Sequence, residues 1–361
     1  MSNIKQNSPE NKNTISIKNI TLNSWLILAT FFFICFVGLW QLYKPFLAEL
    51  HFRNGYNYDM RNQMQFAVDE YGLAVKYAPW ETHYWQYFGK TFEKNAPKFK
   101  DNNAKIKLLT AAANIYHHII KIDPQNPWYQ NRAAVVYYEL EKIAPTPEQK
   151  QKFHKLSKKH TQAAATLDSQ NPLFQLNLAY FMHRNDKKDE ALALYKKVAE
   201  MDGSMAEARF NLASLYRERK ENDKALDQLI KIFEKKPSFQ NVDLTIASLY
   251  IVKGQSEKAL PYLKSRVTRE PGNIEALKNI AAISLQNKKY YESALYYKRL
   301  ITIQPSLETS MHELYIKALF HAGRFKAALD SLNAYLIKYP NNTVAKKQQA
   351  AIQSIFNKSK K

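Results

Sequence analysis

The chain has 361 residues, 45% of them hydrophobic, with 8 glycines and a single cysteine, Cys35, so it can bury a long core but can form neither an intrachain disulfide nor a multi-cysteine metal site. Lysine and arginine number 53 against 32 acidic residues, a formal net charge of +21 that favours anionic partners. The sequence contains no phosphate-binding glycine loop, nucleophile elbow or paired metal-ligand motif, so we predict no catalytic residue, no cofactor, no metal site and no enzyme activity.

A polar segment and then an apolar one open the chain. Residues 1–20 are rich in Asn, Lys and Ser, a composition typical of a disordered tail. No charged side chain lies between Lys18 and Lys44, and Trp25–Leu42 is almost wholly apolar. With its uncharged flanks this run is long enough to cross about 30 Å of hydrocarbon. We therefore predict a transmembrane helix over residues 21–43.

The apolar run also bears on localisation. A cleaved signal sequence is the less favoured alternative, because the run exceeds a typical signal core and no small-x-small cleavage site follows it. The basic residues flanking the run are equal in number on its two sides, but those on the N-terminal side, together with the free amino group, favour a cytoplasmic N terminus. We expect a single-pass protein of a bacterial inner (plasma) membrane with periplasmic repeats, while the reverse orientation stays open.

After the apolar run, helix-stopping residues recur at a fixed spacing. Ser169, Gly203, Pro237, Pro271 and Pro305 are each 34 residues apart, and a further proline follows 35 residues later. Small residues recur twelve positions before each stop, and large apolar or aromatic residues usually lie eight positions before it. Helices pack closely where their contact residues are small, and proline cannot continue a helix. The pattern predicts repeated pairs of antiparallel helices, the first beginning at Pro45.

Two intervals are longer than the others. Pro79 to Pro124 and Pro124 to Ser169 each span 45 residues. The segments Lys94–Lys105 and Glu141–Lys152 carry proline, asparagine and charged residues, which favour turns. We therefore expect the extra length in these turns and in longer second helices.

The 34-residue period, with small residues at its crossing positions and proline at its stop, resembles the tetratricopeptide repeat (TPR) family. The resemblance implies an all-α superhelical solenoid of about eight helix–turn–helix repeats over residues 45–340, preceded by the one transmembrane helix. A C-terminal capping helix and basic tail occupy 341–361, with Thr343–Phe356 as an amphipathic helix whose polar face suits a solubilising cap.

A weaker resemblance concerns two short segments. Lys44–Gly55 and Tyr77–Trp85 look like the repeat region that follows the last membrane helix of bacterial O-antigen ligase/polymerase-type proteins. The many-span catalytic part of those proteins is absent here. The resemblance implies an accessory module for envelope polysaccharide assembly, without transferase activity.

In the TPR family the first helix of each pair lines a concave groove that binds the partner. The family's chaperone-tail clamp uses Lys and Asn where this chain has Phe210 and Ser214, so that version of the function is disfavoured. Aromatic rings beside cationic groups can hold peptides or sugar rings. Transferring the family register, we expect the partner-binding groove to present Tyr56, Lys90, Tyr138, Tyr180, Arg184, Phe210, Ser214, Arg217 and Ser248.

Two functional hypotheses follow. The first is a non-catalytic, membrane-anchored scaffold that mediates protein–protein interaction at the cell envelope, accessory to polysaccharide or secretion machinery. The second is direct binding of an anionic glycan or lipid surface, motivated by the +21 charge and the aromatic–basic groove. Nucleic acid is not favoured, because the lysines are spread over most repeats rather than clustered. Self-association of the repeats stays open.

Overall fold

The computed structural model describes residues 22–358, which form α-helices joined by turns and short 3-10 segments, with no strand in that range. The seventeen helices are α1 (Leu22–Met60), α2 (Met64–Tyr77), α3 (Thr82–Asn95), α4 (Asn102–Ile122), α5 (Pro127–Ile143), α6 (Pro147–Leu167), α7 (Pro172–Arg184), α8 (Lys188–Met201), α9 (Ala206–Glu218), α10 (Asn222–Lys235), α11 (Val242–Val252), α12 (Ser256–Arg269), α13 (Ile274–Gln286), α14 (Tyr290–Ile303), α15 (Glu308–His321), α16 (Phe325–Lys338) and α17 (Thr343–Lys358).

These helices form the expected repeated solenoid. The C-terminal part of α1 pairs with α2, and seven further pairs follow in chain order, from α3–α4 to α15–α16. The all-α prediction of about eight repeats and a C-terminal helix is thus confirmed. The chain divides into two compact units, one ending at Phe174 and one beginning at Gln175. The predicted disordered tail, residues 1–20, lies outside the described residues.

The first helix differs from the prediction at one point. Pro45 was expected to begin a separate repeat helix, but it lies inside α1, which continues for 39 residues. Proline removes one backbone hydrogen bond, to the carbonyl four residues earlier, Gln41, and so it need not end a helix held by other contacts. Ala48, one turn later, is fully buried in the repeat packing. The predicted span and the first repeat helix therefore form one rod.

The small residues twelve positions before each stop mark the helix crossings. Each is at most 2% exposed: Ala67, Ala112, Ser157, Ala191, Ala225, Ala259, Ser293 and Ala328. The two serines are accommodated because each hydroxyl donates to a backbone carbonyl of the paired helix, Ser157 to Ala134 at 3.2 Å and Ser293 to Ala281 at 2.8 Å. The crossing in the first pair is tighter still, since a Cβ on Gly55 would lie 2.8 Å from Tyr71 Cδ1.

The two longer intervals follow the prediction for their second helices, but only one of them follows it for the turn. Helices α4 and α6 contain 21 residues each, against 14 in α2 and α8. Six residues, 96–101, separate α3 from α4 and include the short 3-10 turn Ala96–Lys98, whereas three residues, 144–146, separate α5 from α6, as many as between α9 and α10. The longer second helices are therefore confirmed in both intervals and the longer turn only in the first. In the second interval the prediction of a longer turn is wrong, because the extra residues extend α5, which has 17 residues, and α6.

A recurring hydrogen bond at the stop positions was not predicted from the sequence. In three repeats the side chain six residues after the stop donates to the carbonyl of the stop residue. Trp85 Nε1 donates to Pro79 at 2.9 Å, Gln130 Nε2 to Pro124 at 3.4 Å, and Arg209 Nε to Gly203 at 3.5 Å. The donor types differ, so the sequence shows no common residue. The bond fixes the turn that joins one repeat to the next.

A buried ionic network lies in the second unit. Asp243, at the start of α11, is fully buried and accepts from Arg266 Nε at 3.1 Å, from Arg269 and from its neighbour's backbone N–H. The Arg266 side chain is only 3% exposed and also donates to Asn241 Oδ1 at 2.8 Å. These contacts tie the beginning of α11 to the end of α12.

The C-terminal helix has the predicted amphipathic form. In α17, Ala345 and Ile352 are buried and pack with residues of α16, whereas Lys346, Lys347 and Gln353 are exposed. This arrangement covers the apolar face of the last pair with a helix whose other side is polar.

Candidate interaction surface

The first unit carries a dense group of aromatic side chains on its first helices. We call Phe52 and Tyr56 of α1 with His83, Tyr84 and Tyr87 of α3 the aromatic cluster. The Phe52 ring lies 4.9 Å from Tyr84, 5.1 Å from His83 and 5.3 Å from Tyr87 between centroids. His83 also lies 4.9 Å from Tyr87, and Tyr56 lies 5.9 Å from it.

Helical spacing explains why these rings meet. Phe52 and Tyr56 are four residues apart on α1, and His83 and Tyr87 are four apart on α3, so each pair shares one helix face. The cluster is open to solvent, because Tyr56 is 41% exposed and His83 is also exposed. The surface therefore offers ring edges and faces to a ligand without rearrangement.

A cation lies at one end of this cluster. Lys90 Nζ is 5.0 Å from the centroid of the Tyr87 ring, within cation–π range. Burial lowers the pKa of Lys90, and the nearby Arg132 lowers it further, whereas Glu93 opposes the shift. Arg132 pairs with Glu93 at 2.9 Å. Because Glu93 is paired with Arg132, Lys90 is the cation of this group that is placed to respond to an anionic ligand group.

The other end of the cluster is held by a hydrogen bond. Tyr84 Oη donates to Glu49 Oε2 at 3.0 Å, and Glu49 also pairs with Arg53 at 2.7 Å. Burial and the Glu49 carboxylate raise the pKa of Tyr84 to about 12, so the phenol stays protonated and keeps donating at neutral pH. Tyr84 thus has a structural role, while Tyr56 and His83 remain accessible.

The third predicted residue of the first unit, Tyr138, lies on α5. Lys142 Nζ is 5.2 Å from its ring centroid, and Lys142 also pairs with Glu139 at 3.0 Å. Of the three predicted residues in this unit, the structure brings Tyr56 and Lys90 to one ring, Tyr87, and places Tyr138 beside its own cation.

The remaining predicted residues belong to the second unit. Tyr180 on α7 is 46% exposed, and the Arg184 guanidinium lies 5.4 Å from the ring of Phe181. Phe210 on α9 is half-buried, with its ring 5.8 Å from Phe239 in an edge-to-face contact. Ser214 is half-buried, and Arg217 and Ser248 are exposed on α9 and α11.

Sequence reasoning missed four members of the aromatic cluster, Phe52, His83, Tyr84 and Tyr87. The transferred family register names one exposed position per helix turn, whereas the cluster uses neighbouring positions on two helices. The available signal was the spacing of four residues between aromatic side chains on each of two consecutive first helices.

A separate cavity of about 480 Å³ lies between α14, α15 and α16. Its lining includes Glu308, His312 and Ser331, with Ser331 Oγ 3.3 Å from His312 Nε2. The His312 ring stacks on Tyr335 with centroids 3.9 Å apart, and burial lowers the pKa of His312. The stacking makes this histidine part of the packing. Among residues 22–358, no group of three or more His, Cys, Asp or Glu is placed to hold a metal ion.

Part of the sequence matches a known repeat family. Residues 185–249 match the family model described as tetratricopeptide repeat. A thermophilic TPR protein from Thermus thermophilus is 18% identical, with 56% of this chain and 99% of that chain covered and a TM-score of 0.42. The Pseudomonas aeruginosa protein pilF is 16% identical, with coverages of 65% and 97% and a TM-score of 0.49. A repeat protein from Parabacteroides merdae is 14% identical, with coverages of 75% and 98% and a TM-score of 0.48. No curated protein matches the sequence.

Proposed function

We propose that this protein is a membrane-anchored, non-catalytic scaffold at the bacterial cell envelope. Residues 185–249 match tetratricopeptide repeats, whose general role is protein–protein interaction, and they lie within a solenoid of helix pairs. α1 anchors it as a single span in the inner membrane, with periplasmic repeats that recruit a protein to polysaccharide or secretion machinery. The observation that carries the proposal concerns α1. Its segment Trp25–Met60 is long and apolar enough to cross a membrane, and the C-terminal part of the same helix is the first helix of the first repeat.

The aromatic cluster supports recruitment of an extended peptide. Its exposed rings supply apolar contact at low entropic cost, since aromatic side chains have few rotatable bonds. Lys90, beside Tyr87, is positioned to meet a carboxylate of such a peptide. A peptide fits this combination if an aromatic or aliphatic residue lies close to an acidic residue on the same face, either one turn away on a helix or at the next position on that face of an extended strand.

The alternative function is direct binding of an anionic glycan or lipid surface. It is favoured by the +21 charge and by the same pairing of rings with Lys90, because sugar rings also stack on aromatic faces. Binding dominated by charge weakens steeply with salt, whereas peptide binding through the rings does not. Salt dependence therefore separates the two candidates.

A photo-crosslinking experiment in cells tests the proposal. A photoreactive phenylalanine analogue replaces Tyr56 in the aromatic cluster, and a matched control carries it at Phe66, which is 57% exposed on α2 of the same unit. We expect an adduct with an envelope protein from position 56, absent from position 66 and lost when Lys90→Glu is added. Equal labelling at both positions would contradict the recruitment surface, and an adduct with polysaccharide would favour the alternative.

The orientation has its own test. Protease is added to cells whose outer envelope has been permeabilised while the inner membrane is sealed. Digestion of the repeats supports the periplasmic orientation. Protection until the inner membrane is opened would reverse the orientation and direct the search to cytoplasmic partners.

A further inference from the structure

The turns that join successive repeats of the first unit lie at the same end as the apolar part of α1. Two such turns connect α2 to α3 and α4 to α5, and together with the helix residues that flank them they cover residues 77–82 and 122–128. We call them the repeat-turn edge. The first helices α1, α3 and α5 run in the same direction, so α3 and α5 begin at the edge through which α1 enters the unit.

Side-chain contacts fix the height of this edge along α1. Tyr84 Oη bonds Glu49 at 3.0 Å, and His83 lies 5.1 Å from Phe52, so the first turn of α3 is level with residues 49–52. Tyr77, the last residue of α2, stacks on His51 with centroids 5.6 Å apart. The apolar run ends at residue 43, six residues below Glu49, or about 9 Å along a helix.

The first turn of α5 lies at the same level. Tyr129 Oη donates to Thr82 Oγ1 at 3.1 Å, which joins the beginning of α5 to the beginning of α3. Residues 77–82 and 122–128 therefore lie side by side, about one to two helix turns beyond the end of the apolar run.

Three large apolar side chains are exposed along this edge. Trp80 is 59% exposed, Trp128 is 47% exposed and Ile122 is 41% exposed. The two turns are ordered, because Trp85 Nε1 donates to the carbonyl of Pro79 and Asn126 Oδ1 accepts from the backbone N–H of Trp128 at 3.0 Å. The Trp128 ring also contacts Phe174 edge-to-face, with centroids 4.9 Å apart, and it keeps about half of its surface exposed. Exposed tryptophans on fixed turns, continuous with an apolar helix, are typical of a membrane interface.

The charges along the edge do not select a particular lipid headgroup. Basic and acidic side chains are equal in number in the two turns and in the last turn of the helix that precedes each of them: Lys76, Lys121, Glu81 and Asp123. Attraction to a bilayer at this edge therefore comes from the aromatic and apolar groups and does not require anionic lipid.

We infer that the repeat-turn edge is a membrane-contact surface, with Trp80, Ile122 and Trp128 seated in the headgroup region beside the span formed by α1. The inference rests on the proposed membrane anchoring and adds to it a second contact with the same bilayer. It orients the first unit with its repeat turns on the lipid and its opposite turns, which include Phe99, directed away.

Spin labelling of the full chain in phosphatidylcholine vesicles tests this inference. In a Cys35→Ser background, single labels are introduced by Trp80→Cys and Trp128→Cys, with Phe99→Cys as the control, since Phe99 is 43% exposed on the opposite turn. Collision rates with oxygen, which partitions into lipid, and with a nickel chelate, which stays in water, are then compared. We expect positions 80 and 128 to lose nickel collisions and gain oxygen collisions relative to position 99.

A further label separates this inference from the anchor itself. Phe33→Cys places the label in the middle of the apolar run. If position 33 is in lipid while 80 and 128 are as accessible to nickel as 99, the membrane-contact surface is refuted and the anchor stands. If position 33 is also accessible to nickel, the anchoring and the inference both fail. A label at Lys76→Cys should collide with the nickel chelate more often in the double variant Trp80→Ser/Trp128→Ser than in the protein with both tryptophans. Equal collision rates in the two proteins would contradict the role of the rings.

Discussion

Replacing Asp243 with asparagine exchanges one carboxylate oxygen for an amide nitrogen, but it should weaken the packing of α11 on α12 considerably. The carboxylate is fully buried and binds Arg266, whose side chain is 3% exposed, as well as Arg269. Removing one partner of a buried ion pair typically costs about 3–5 kcal/mol, because the other charge is left unpaired in the interior. Arg266 keeps a contact with Glu270 at the protein surface, so we expect the free energy of local unfolding to fall by about 3 kcal/mol, the lower end of that range.

The measurement is hydrogen exchange of the full chain in detergent, read on peptides of α11 and α12. Local exchange is the appropriate assay, because repeats unfold in separate units and a single global midpoint is not defined. Asp227→Asn is the matched control: this aspartate pairs with Lys231 at 2.8 Å, but both side chains are about half exposed, and such pairs contribute about 0–1 kcal/mol.

A second variant tests the reason behind the number. Asp243→Leu combined with Arg266→Met removes both charges and should cost less than Asp243→Asn, since replacing a buried pair by apolar side chains is often near neutral. Exchange in Asp243→Asn that matches the Asp227→Asn control would refute the argument. So would a double variant that loses as much protection as the single one.

Two further predictions concern the first unit. Gly55→Ala should destabilise the first helix pair by about 1–3 kcal/mol, because the new methyl group would lie 2.8 Å from a Tyr71 ring atom. The measurement is hydrogen exchange of peptides from α1 and α2, and the control is Gly72→Ala, whose methyl group meets no atom within 4 Å and should not destabilise the pair. Burial lowers the pKa of His160 to about 4, and its Nδ1 lies 2.7 Å from Gln130 Oε1. Because the unfolded chain binds this proton more readily, stability is full above about pH 6.5 and falls as pH drops towards 4; the loss should be reduced in His160→Gln, and equal pH dependence of hydrogen exchange in both proteins would contradict the assignment.

The repeat architecture was predictable from the sequence because it depends on positions with a fixed spacing. Close helix crossings admit few residue types, so Ala112, Ala191 and Ala225 recur at the same offset from each stop. The two longer repeats were predictable for the same reason, since a change in spacing locates an insertion. The match of residues 185–249 to tetratricopeptide repeats agrees with this interpretation.

The candidate site was less predictable because its contacts join residues that have no periodic relation. Phe52 meets Tyr84 and Tyr87 across 32 and 35 positions, and the register of two helices decides which rings touch. The ion pair of Asp243 and Arg266 is specific to one repeat and interrupts no pattern. Pro45 was misjudged because a local rule for helix ends took no account of the packing at Ala48.

The continuity of α1 gives the chain a mechanical property. At 39 residues the helix is about 58 Å long, nearly twice the thickness of about 30 Å of bilayer hydrocarbon. Transmembrane helices tilt by about 20° on average, and they tilt more when the bilayer is thinner than the apolar stretch. When a rigid rod tilts, its outer end moves sideways and carries with it whatever is packed there, here the first helix pair. If α1 crosses a bilayer as proposed, the position of the first helix pair therefore depends on the thickness of the membrane.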